Sequence, residues 1–409
     1  MYRLLFKVLV MGRENLKKTL LLTVIIVCVL LLDRTYRMLE PLPPSCPTLQ
    51  SQPGSPLRNK HTNIVFLKTH KTSGTTIQNI LFRFADHHNL TVALPKQNYV
   101  NLFGYPRSFS NQFVHPHTLP ANIICNVLRF NKTELQRLMP RDAIYVTIMR
   151  EPGAMFESSF SFFNLLCESF SQVPDGSIKT FLEEPQRYYK PDEPNSMFAH
   201  NLMTFDLGGD HNHPATDVAY AHAFVAEMEQ IYSLVMISEY FDESLILLRH
   251  LLSWDLDDIL YLELNMRTAS SKQSLTLGLN EKIRAWNSLD AHLYDHFNTS
   301  LWRKLNALDP LCLEKELELF RRAREKLMMT CFGVQKPRLL SPEEIKNADL
   351  RPWQPNKKTV IKGYDLPKEL PESTRKYCLK FTMPEIQYTN RLLHLESLRH
   401  QQRNSNTLP

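Results

Sequence analysis

The 409-residue sequence lacks a strong excess of either charge. Its 48 Lys and Arg residues against 42 Asp and Glu residues give a formal net charge of +6, with both signs spread along the chain. A basic tail that binds nucleic acid is therefore not predicted, whereas an anionic small ligand or a membrane surface fits the mild bias. No internal repeat is visible, and 43% hydrophobic residues predict one large or two modest domains with a real core.

The sequence also lacks the loop that binds nucleoside triphosphates. That loop has the pattern GxxxxGK[ST], in which the lysine follows the second glycine. In NIVFLKTHKTSGTT, residues 63–76, Lys68 and Lys71 precede the only glycine, so the pattern fails. A second strand-like stretch ends at Arg150, where such proteins commonly carry an acidic magnesium ligand. A nucleotide kinase is therefore disfavoured, and anion contacts are expected without an essential metal.

The N-terminal hydrophobic run is shorter than an ordinary membrane span. Residues 19–32, TLLLTVIIVCVLLL, are uncharged, but a transmembrane helix needs roughly 20 residues. No small-x-small cleavage site follows, and the flanking Lys18 and Arg34 can reach the lipid headgroups. We interpret residues 19–34 as an uncleaved transmembrane signal anchor. More basic residues precede it than follow it, which predicts that residues 1–18 are a cytosolic tail and the remainder is lumenal.

The chain after the anchor divides by composition. Residues 35–60 include the proline-rich run PLPPSCPTLQSQPGSPLRNK and are predicted to be an extended stem. A globular lumenal domain is expected over residues 61–400, followed by a polar tail at 401–409. Three acceptor sequons for N-glycosylation fit a lumenal location. They begin at Asn89, Asn131 and Asn298.

Six cysteines remain outside the apolar N-terminal run, which holds Cys28. They lie at positions 46, 125, 167, 312, 331 and 378. An even number in an oxidising compartment is compatible with three disulfide bonds, and six buried thiols are the alternative. If residues 313–330 form one straight helix, Cys312 and Cys331 lie about 28 Å apart, whereas a disulfide requires Cα atoms within about 7 Å. These two cysteines are predicted not to pair with each other.

Three strand-then-helix units indicate the fold class. The strands are expected at residues 64–67, 143–149 and 234–237, and the helices at 75–88, from Pro152 onward, and over FDESLILLRHLLSW. This alternation predicts an α/β fold with a central parallel sheet flanked by helices. Ligands in such folds bind at the carboxyl ends of the strands. Apolar spacing predicts further helices at 281–305 and 313–329.

The first strand-helix turn has the composition of an oxyanion site. The amides at the start of a helix are unpaired and lie at the positive end of its dipole. Gly74 permits close approach of an anion. Hydroxyl donors and positive charges surround it, supplied by Ser73, Thr75, Thr76, Lys68 and Lys71. The turn therefore favours a phosphate-like ligand, and an ordinary capped turn is the alternative.

Two stretches of the chain resemble a known family. NIVFLKTHKTSGTT and VTIMREPGAMFESS are similar to the two nucleotide-binding signatures of sulfotransferases that use 3'-phosphoadenosine 5'-phosphosulfate (PAPS). More narrowly, they resemble those of the Golgi galactose-3-O-sulfotransferases. The resemblance continues through FNKTEL, YFDESL, LNMR, WNSLDAHLYDHFN, RPWQP, GYDL and MPEIQY, so it covers nearly the whole chain after the stem. It implies a P-loop-like sulfotransferase fold that transfers a sulfuryl group from PAPS to the 3-hydroxyl of a β-galactose residue.

The resemblance also implies a location and an acceptor class. The protein would be a single-pass type II protein of the Golgi membrane, acting on a galactose-terminated glycolipid or glycoprotein glycan and not on nucleic acid. Some aromatic residues of the chain could stack on a sugar, although core packing is the usual role of such side chains. These residues are Tyr188, Tyr189, Phe198, Trp286 and Tyr294.

The same resemblance assigns donor-binding residues in this sequence. The loop for the 5'-phosphosulfate would consist of Lys71, Thr72, Ser73, Gly74, Thr75 and Thr76. The 3'-phosphate would be held by Arg150 and Ser158. A guanidinium binds phosphate in a bidentate manner, which suits Arg150.

Sulfuryl transfer, like phosphoryl transfer, depends mainly on positioning and charge stabilisation. We expect a sugar hydroxyl to attack sulfur in line with the leaving phosphate. Lys71, helped by Lys68, would stabilise the charge that develops on the leaving oxygen. His70 is the predicted base that takes the hydroxyl proton, and a structural histidine is the alternative.

One position departs from the family pattern. The family usually shows a histidine after Cys-Asn in this segment, whereas the chain has Val127 within CNVLRF. Valine neither relays a proton nor binds a hydroxyl group. Either the position serves acceptor recognition and its change alters specificity, or the protein is a slow or inactive relative that binds nucleotide or glycan as a lumenal module.

Overall fold

The structure of the chain is a computed structural model. It describes residues 24, 27 and 28, and then residues 60–97, 100–267, 272–356 and 359–405. The predicted cytosolic tail, most of the anchor at 19–34 and the stem up to residue 59 lie outside the described residues. Within the described ranges, no helix is long and apolar enough to cross a membrane.

A parallel five-stranded sheet lies at the centre of the fold. Its strands are β1 (Ile64–Leu67), β2 (Val92–Ala93), β3 (Ile123–Ile124), β4 (Ile144–Met149) and β5 (Leu234–Ile237). They lie in the order β2-β3-β1-β4-β5, and every neighbouring pair is parallel. Strands β1 and β5 are buried along their whole length, as expected where helices cover both faces. The predicted α/β fold with a central parallel sheet is confirmed.

Helices surround this sheet. They are α1 (Gly74–His88), α2 (Lys132–Leu138), α3 (Pro152–Phe163), α4 (Glu168–Ser171), α5 (Ile178–Glu183), α6 (Pro185–Tyr188), α7 (Leu202–Asp206), α8 (Val218–Ile231), α9 (Phe241–Leu252), α10 (Leu277–Trp286), α11 (Ser288–Asn306), α12 (Pro310–Phe332), α13 (Glu372–Thr382) and α14 (Glu385–Ser405). Short 3-10 turns lie at Asn111–Phe113, Pro116–Thr118, Ser196–Ala199, Ser238–Tyr240, Leu256–Ile259 and Ala348–Leu350.

The three predicted strand-helix units are present. In α1, the apolar face predicted to be buried is buried, and it consists of Ile77, Ile80, Leu81, Phe84 and Ala85. Helix α3 begins at Pro152, and the Glu151 carboxylate before it accepts the backbone N–H of Ala154 at 3.0 Å. That contact satisfies one of the unpaired amides of the first turn. In α9, Leu245, Leu248 and Leu252 are fully buried.

The helix predicted over residues 281–305 is two helices, α10 and α11, which meet at Asn287. The buried Asn287 side chain accepts the backbone N–H of Asn201 at 2.8 Å and donates to the carbonyl of Ile283 at 3.0 Å. Because the side chain competes with the helical hydrogen bonds, the helix ends there. The predicted helix at 313–329 is longer than expected, and α14 continues into the predicted polar tail as far as Ser405.

The C-terminal elements pack beside the start of the fold. Strands β6 (Met266–Arg267) and β7 (Ile361–Lys362) form a separate antiparallel pair. Helices α13 and α14 pack against α1. The first residue of α14, Glu385, therefore comes close to the turn between β1 and α1.

The cysteines follow neither predicted alternative. Cys331 is bonded to Cys378, and Cys312 is also disulfide-bonded. Cys125 and Cys167 are buried thiols, and burial raises the pKa of Cys167 to about 11. The expectation of three disulfide bonds is therefore wrong, because two of the six cysteines sit in apolar surroundings. The prediction that Cys312 and Cys331 do not pair is confirmed.

Candidate active site at the turn between β1 and α1

The turn between β1 and α1 has an unusual backbone conformation. Lys71 and Ser73 adopt φ angles of 59° and 72°, which are uncommon for residues other than glycine. Hydrogen bonds hold this shape: the guanidinium of Arg150 donates to the Lys71 carbonyl at 3.1 Å, and the Thr72 hydroxyl donates to the Thr69 carbonyl at 3.0 Å. The turn therefore presents the start of α1, the positive end of its dipole, at the carboxyl edge of the sheet.

Gly74 is required for the packing of this turn. A Cβ atom added at Gly74 would lie 2.7 Å from Cγ of Lys68, closer than real Cβ contacts allow. The absence of a side chain thus lets Lys68 cross the base of the turn. This is a packing role as well as the predicted role in admitting an anion.

The ammonium of Lys68 is held by two acceptors. It forms an ion pair with Glu385 and donates to Oε1 of Gln78 at 2.8 Å. The hydroxyl of Thr75 also donates to Glu385, at 3.0 Å. Burial opposes ionisation of Glu385, but Lys68 and these hydrogen bonds hold its pKa below the usual value. Lys68 therefore stabilises the turn by joining it to α1 and α14.

Lys71 has a different environment. Its ammonium lies 3.6 Å from the centroid of the Phe162 ring. Burial, together with the charges of Arg267 and Arg150, lowers the pKa of Lys71 to about 7. A lysine beside two guanidinium groups and an aromatic ring is placed to receive an anion, because an anion would restore its charge.

Arg150 and Ser158 lie where β4 passes into α3. Burial lowers the pKa of Arg150, while Glu239, 4.0 Å from its Nε atom, acts in the opposite direction. Ser158 is buried in the second turn of α3. Its neighbour Glu157 forms a buried ion pair with Arg267. Arg267 is thus paired with a carboxylate, but its charge still acts on Lys71, whose pKa is lowered first by burial and then by Arg267.

The predicted base, His70, rests on a buried carboxylate. Nδ1 of His70 lies 3.0 Å from both carboxylate oxygens of Asp206, and its backbone N–H donates to the same group at 2.7 Å. The hydroxyl of Tyr105 donates to Asp206 at 2.9 Å. Aromatic rings enclose the imidazole, with centroids 4.7 Å away for Tyr105 and 5.6 Å for Phe198.

The predicted donor-binding stretch therefore collects at one edge of the sheet with Arg150 and His70. Sequence reasoning missed four residues beside them, namely Asp206, Tyr105, Glu385 and Arg267. Glu385 and Arg267 belong to MPEIQY and LNMR, two of the segments that carry the family resemblance, which is the signal that could have found them. Asp206 is a single acidic residue in the apolar stretch LMTFDL. Nothing in that stretch indicates a site, because only the folded structure places this fully buried carboxylate beside His70.

The aromatic residues considered for sugar stacking mostly serve the core. Tyr188, Phe198 and Tyr294 are buried. Tyr189 and Trp286 are half-buried and contact each other, with centroids 5.4 Å apart. Trp353, which is outside that set, is 53% exposed, and its ring centroid lies 5.9 Å from that of Phe162, the ring that the Lys71 ammonium contacts.

Val127 is a buried residue that pairs with a neighbouring segment. Its backbone N–H donates to the Asn101 carbonyl at 3.0 Å, and its carbonyl accepts from Phe103 at 2.8 Å. The segment it pairs with leads to Tyr105, which contacts His70. The position therefore adjoins the wall of the site, as a buried apolar residue.

Among the described residues, no three or more His, Cys, Asp or Glu side chains come together in a group that could hold a metal ion. The expectation that no metal is essential stays a prediction.

Comparison with known proteins relates most of the chain to one group. A family model described as galactose-3-O-sulfotransferase matches residues 1–396. The chain is similar to galactose-3-O-sulfotransferase 3 of Mus musculus, with 52% identity over 366 residues, which covers 89% of this chain and 84% of that protein. It is also similar to galactosylceramide sulfotransferase of Homo sapiens, with 40% identity over 330 residues, which covers 80% and 77% of the two chains. Galactose-3-O-sulfotransferase 2 of Mus musculus is 40% identical over 356 residues.

Proposed function

The chain belongs to the galactose-3-O-sulfotransferase family, and from that premise we propose that it transfers a sulfuryl group from PAPS to the 3-hydroxyl of a β-galactose residue on a glycolipid or glycoprotein glycan. The observation that carries the proposal is the turn between β1 and α1. It joins a helix start, the half-buried Lys71 and the Arg150 guanidinium at one edge of the parallel sheet. Such a cluster of amides and cations is suited to a phosphosulfate donor.

In this proposal the donor is bound by two groups of residues. The 5'-phosphosulfate lies against Lys71 and the residues from Thr72 to Thr76. Arg150 and Ser158 hold the 3'-phosphate, with Arg267 adding positive charge nearby. The residues fit the ligand, because a lysine whose pKa is lowered by burial and by two guanidinium groups gains from a multiply charged anion.

The proposed reaction is an in-line displacement at sulfur. The 3-hydroxyl oxygen forms a bond to sulfur while the bond between sulfur and the bridging phosphate oxygen breaks. The electron pair goes to the phosphate oxygen, where Lys71 stabilises the charge, and the hydroxyl proton goes to His70. We now assign Lys68 a supporting role instead of a share of that charge, since Glu385 and Gln78 hold its ammonium.

We place the sugar acceptor on the side of the exposed Trp353. This ring lies next to Phe162, which contacts the Lys71 ammonium. The apolar face of a galactose ring can pack on an aromatic side chain, while the hydroxyls on its edge remain free to react. In this arrangement Trp353 contributes to acceptor binding and not to donor binding.

We further propose that the protein is a single-pass type II protein of the Golgi membrane, with the described domain in the lumen. The short N-terminal hydrophobic run and the distribution of basic residues around it support this location. The disulfide between Cys331 and Cys378 also supports it, since such bonds persist in oxidising compartments.

The test is transfer by the purified full-length chain. Labelled PAPS is incubated with a panel of β-galactosides that includes galactosylceramide and soluble galactose-terminated oligosaccharides. We expect a product sulfated at the 3-hydroxyl, no product with a Lys71→Ala variant, and a raised acceptor KM with Trp353→Ala. Transfer to none of the galactosides would refute the proposed function.

Val127 motivates one alternative, a relative that binds nucleotide or glycan without turnover. The same preparation distinguishes the two. Thermal stabilisation by 3'-phosphoadenosine 5'-phosphate, combined with no transfer to any galactoside, would favour the binding module. The contact of His70 with its buried carboxylate partner favours the enzyme, because a binding module has no use for a positioned base.

A further inference from the structure

Asp206 is a buried acid whose carboxylate forms all its hydrogen bonds with residues of the site. It is the last residue of α7 and is fully buried. Its carboxylate accepts three hydrogen bonds: from the backbone N–H of His70, from Nδ1 of His70 and from the hydroxyl of Tyr105. An ionised carboxylate taken out of water requires such donors, because burial without them is costly.

These contacts determine which nitrogen of His70 carries the proton. Nδ1 lies 3.0 Å from both oxygens of Asp206, and a carboxylate can only accept. The neutral imidazole therefore carries its proton on Nδ1, which leaves Nε2 as the unprotonated nitrogen. Because Asp206 engages Nδ1, Nε2 is the nitrogen left for a substrate, and the side chain as a whole is 13% exposed.

The aromatic side chains around His70 pack against its imidazole and do not compete with Asp206 for Nδ1. Phe163 of α3 and Phe198 present ring edges to the imidazole. Burial and the charge of Asp206 raise the pKa of Tyr105 well above its usual value, so its hydroxyl remains a donor.

Two charged groups lie further out. The guanidinium of Arg129 stacks on Phe205 at 4.0 Å and acts on Asp206 through its charge. Asp290 of α11 accepts the backbone N–H groups of Met203 and Thr204, and burial raises its pKa to about 7. The charge of Asp206 contributes to the pKa shift of both groups.

We propose that Asp206 is a positioning residue for the transfer reaction: it fixes the His70 tautomer with Nε2 unprotonated and stabilises the imidazolium that forms when Nε2 takes the 3-hydroxyl proton. The inference rests on the proposed function. The reaction step balances. The sugar oxygen bonds to sulfur and gives its proton to Nε2, while the bond from sulfur to the bridging phosphate oxygen breaks and the phosphate takes the electron pair. Tyr105 supports this arrangement by donating a hydrogen bond to Oδ1 of Asp206, while the backbone N–H of His70 donates to Oδ2.

The first test is Asp206→Asn in the full-length chain. Asparagine keeps an oxygen for the His70 backbone N–H, but its amide presents a donor to Nδ1 and favours the tautomer with the proton on Nε2. Loss of a general base commonly costs about 100-fold or more, so we expect kcat to fall by about 100-fold. Acceptor KM and the affinity for 3'-phosphoadenosine 5'-phosphate should change little.

The controls separate positioning from folding. Asp210→Asn removes an exposed carboxylate four residues away that does not contact His70, and it should leave kcat unchanged. If Asp206 acts through His70, the double variant His70→Ala/Asp206→Asn is no slower than His70→Ala alone. If Asp206→Asn does not fold, Tyr105→Phe replaces it, and we expect a smaller loss of kcat with unchanged nucleotide affinity.

A spectroscopic test does not depend on turnover. Nitrogen NMR of the chain labelled with ¹⁵N-histidine, with the His70 signals identified by their loss in His70→Gln, should show a proton on Nδ1. In Asp206→Asn the proton should move to Nε2. An unchanged tautomer, or an unchanged kcat in an active protein, would overturn the inference. Failure of the wild type to sulfate any galactoside refutes the proposed function instead, and the NMR result still decides the role of Asp206.

Discussion

Lys71 is the residue whose charge depends most on the ligand. Burial and two neighbouring guanidinium groups lower its pKa to about 7. A bound phosphate group favours the ammonium form and must raise that pKa. At pH values above 7, nucleotide binding is therefore coupled to uptake of a proton by Lys71.

This coupling predicts the pH dependence of nucleotide affinity. Affinity for 3'-phosphoadenosine 5'-phosphate should be greatest at and below about pH 7 and should fall above it by at most about tenfold per pH unit, the limit for one coupled proton. The Lys71→Arg side chain stays charged, so the nucleotide affinity of this variant should not fall in this way above pH 7. Calorimetric titration of both proteins in the same buffers measures the effect. The nucleotide ionises in the same way in both experiments, so its contribution cancels when the two pH slopes are compared. Equal pH slopes for the two proteins would contradict the assignment.

The residues of the site differ in how far sequence alone could find them. His70, Lys71 and Gly74 lie in one continuous stretch, so their types and order were readable. Asp206 lies 136 positions from His70, and Glu385 lies 317 positions from Lys68. Asp206 has no local pattern, and Glu385 is marked only by the family resemblance of MPEIQY, because what places each residue beside the turn is the packing of a distant helix.

At the level of elements, the start of α1 depends on Gly74. Its missing side chain leaves room for Lys68, whose Cγ would be 2.7 Å from an added Cβ. We expect Gly74→Ala to destabilise the protein by about 1–3 kcal/mol, as overpacking does, and to weaken nucleotide binding by displacing Lys68 from Glu385. Thermal unfolding with and without 3'-phosphoadenosine 5'-phosphate measures both effects.

Gly278 supplies the matched control for this change. It lies near the start of α10, and a Cβ added there meets nothing within 4 Å. Gly278→Ala should therefore leave stability unchanged or raise it by up to about 1 kcal/mol, since alanine is the better helix former. If both substitutions change stability alike, steric contact with Lys68 is not the reason that glycine is needed at position 74.

The elements themselves were predictable where a local pattern was long. β1, β5, α1 and α9 follow strong apolar spacing, and their ends were found within a residue or two. β2 and β3 contain two residues each, too few to show any period. The break at Asn287 depends on Asn201, 86 positions away, so no local pattern could show it.

For the whole molecule, the disulfide between Cys331 and Cys378 ties the end of α12 to α13. Both residues are fully buried, and the bond spans 47 positions. Its loss in Cys378→Ser should cost about 2–5 kcal/mol of unfolding free energy. The double variant with Cys331→Ser should lose about as much as the single variant, since both remove one bond. Thermal unfolding under non-reducing conditions checks this, and a single variant as stable as the wild type would contradict it.

The glycosylation sites test the orientation of the whole chain in the membrane. Asn89 is exposed at the end of α1, and the Asn131 side chain uses only its oxygen to cap α2, which leaves the nitrogen that carries a glycan available. In Asn298 that side-chain oxygen is buried within α11 with no partner found among the described residues. We therefore expect glycans at Asn89 and Asn131, and little or none at Asn298. When the full chain is made in cells with a secretory pathway, Asn89→Gln and Asn131→Gln should each remove one glycosidase-sensitive step in gel mobility, and Asn298→Gln should remove none. A wild-type chain that carries no glycan would contradict the lumenal orientation, because the sequons are modified only on that side of the membrane.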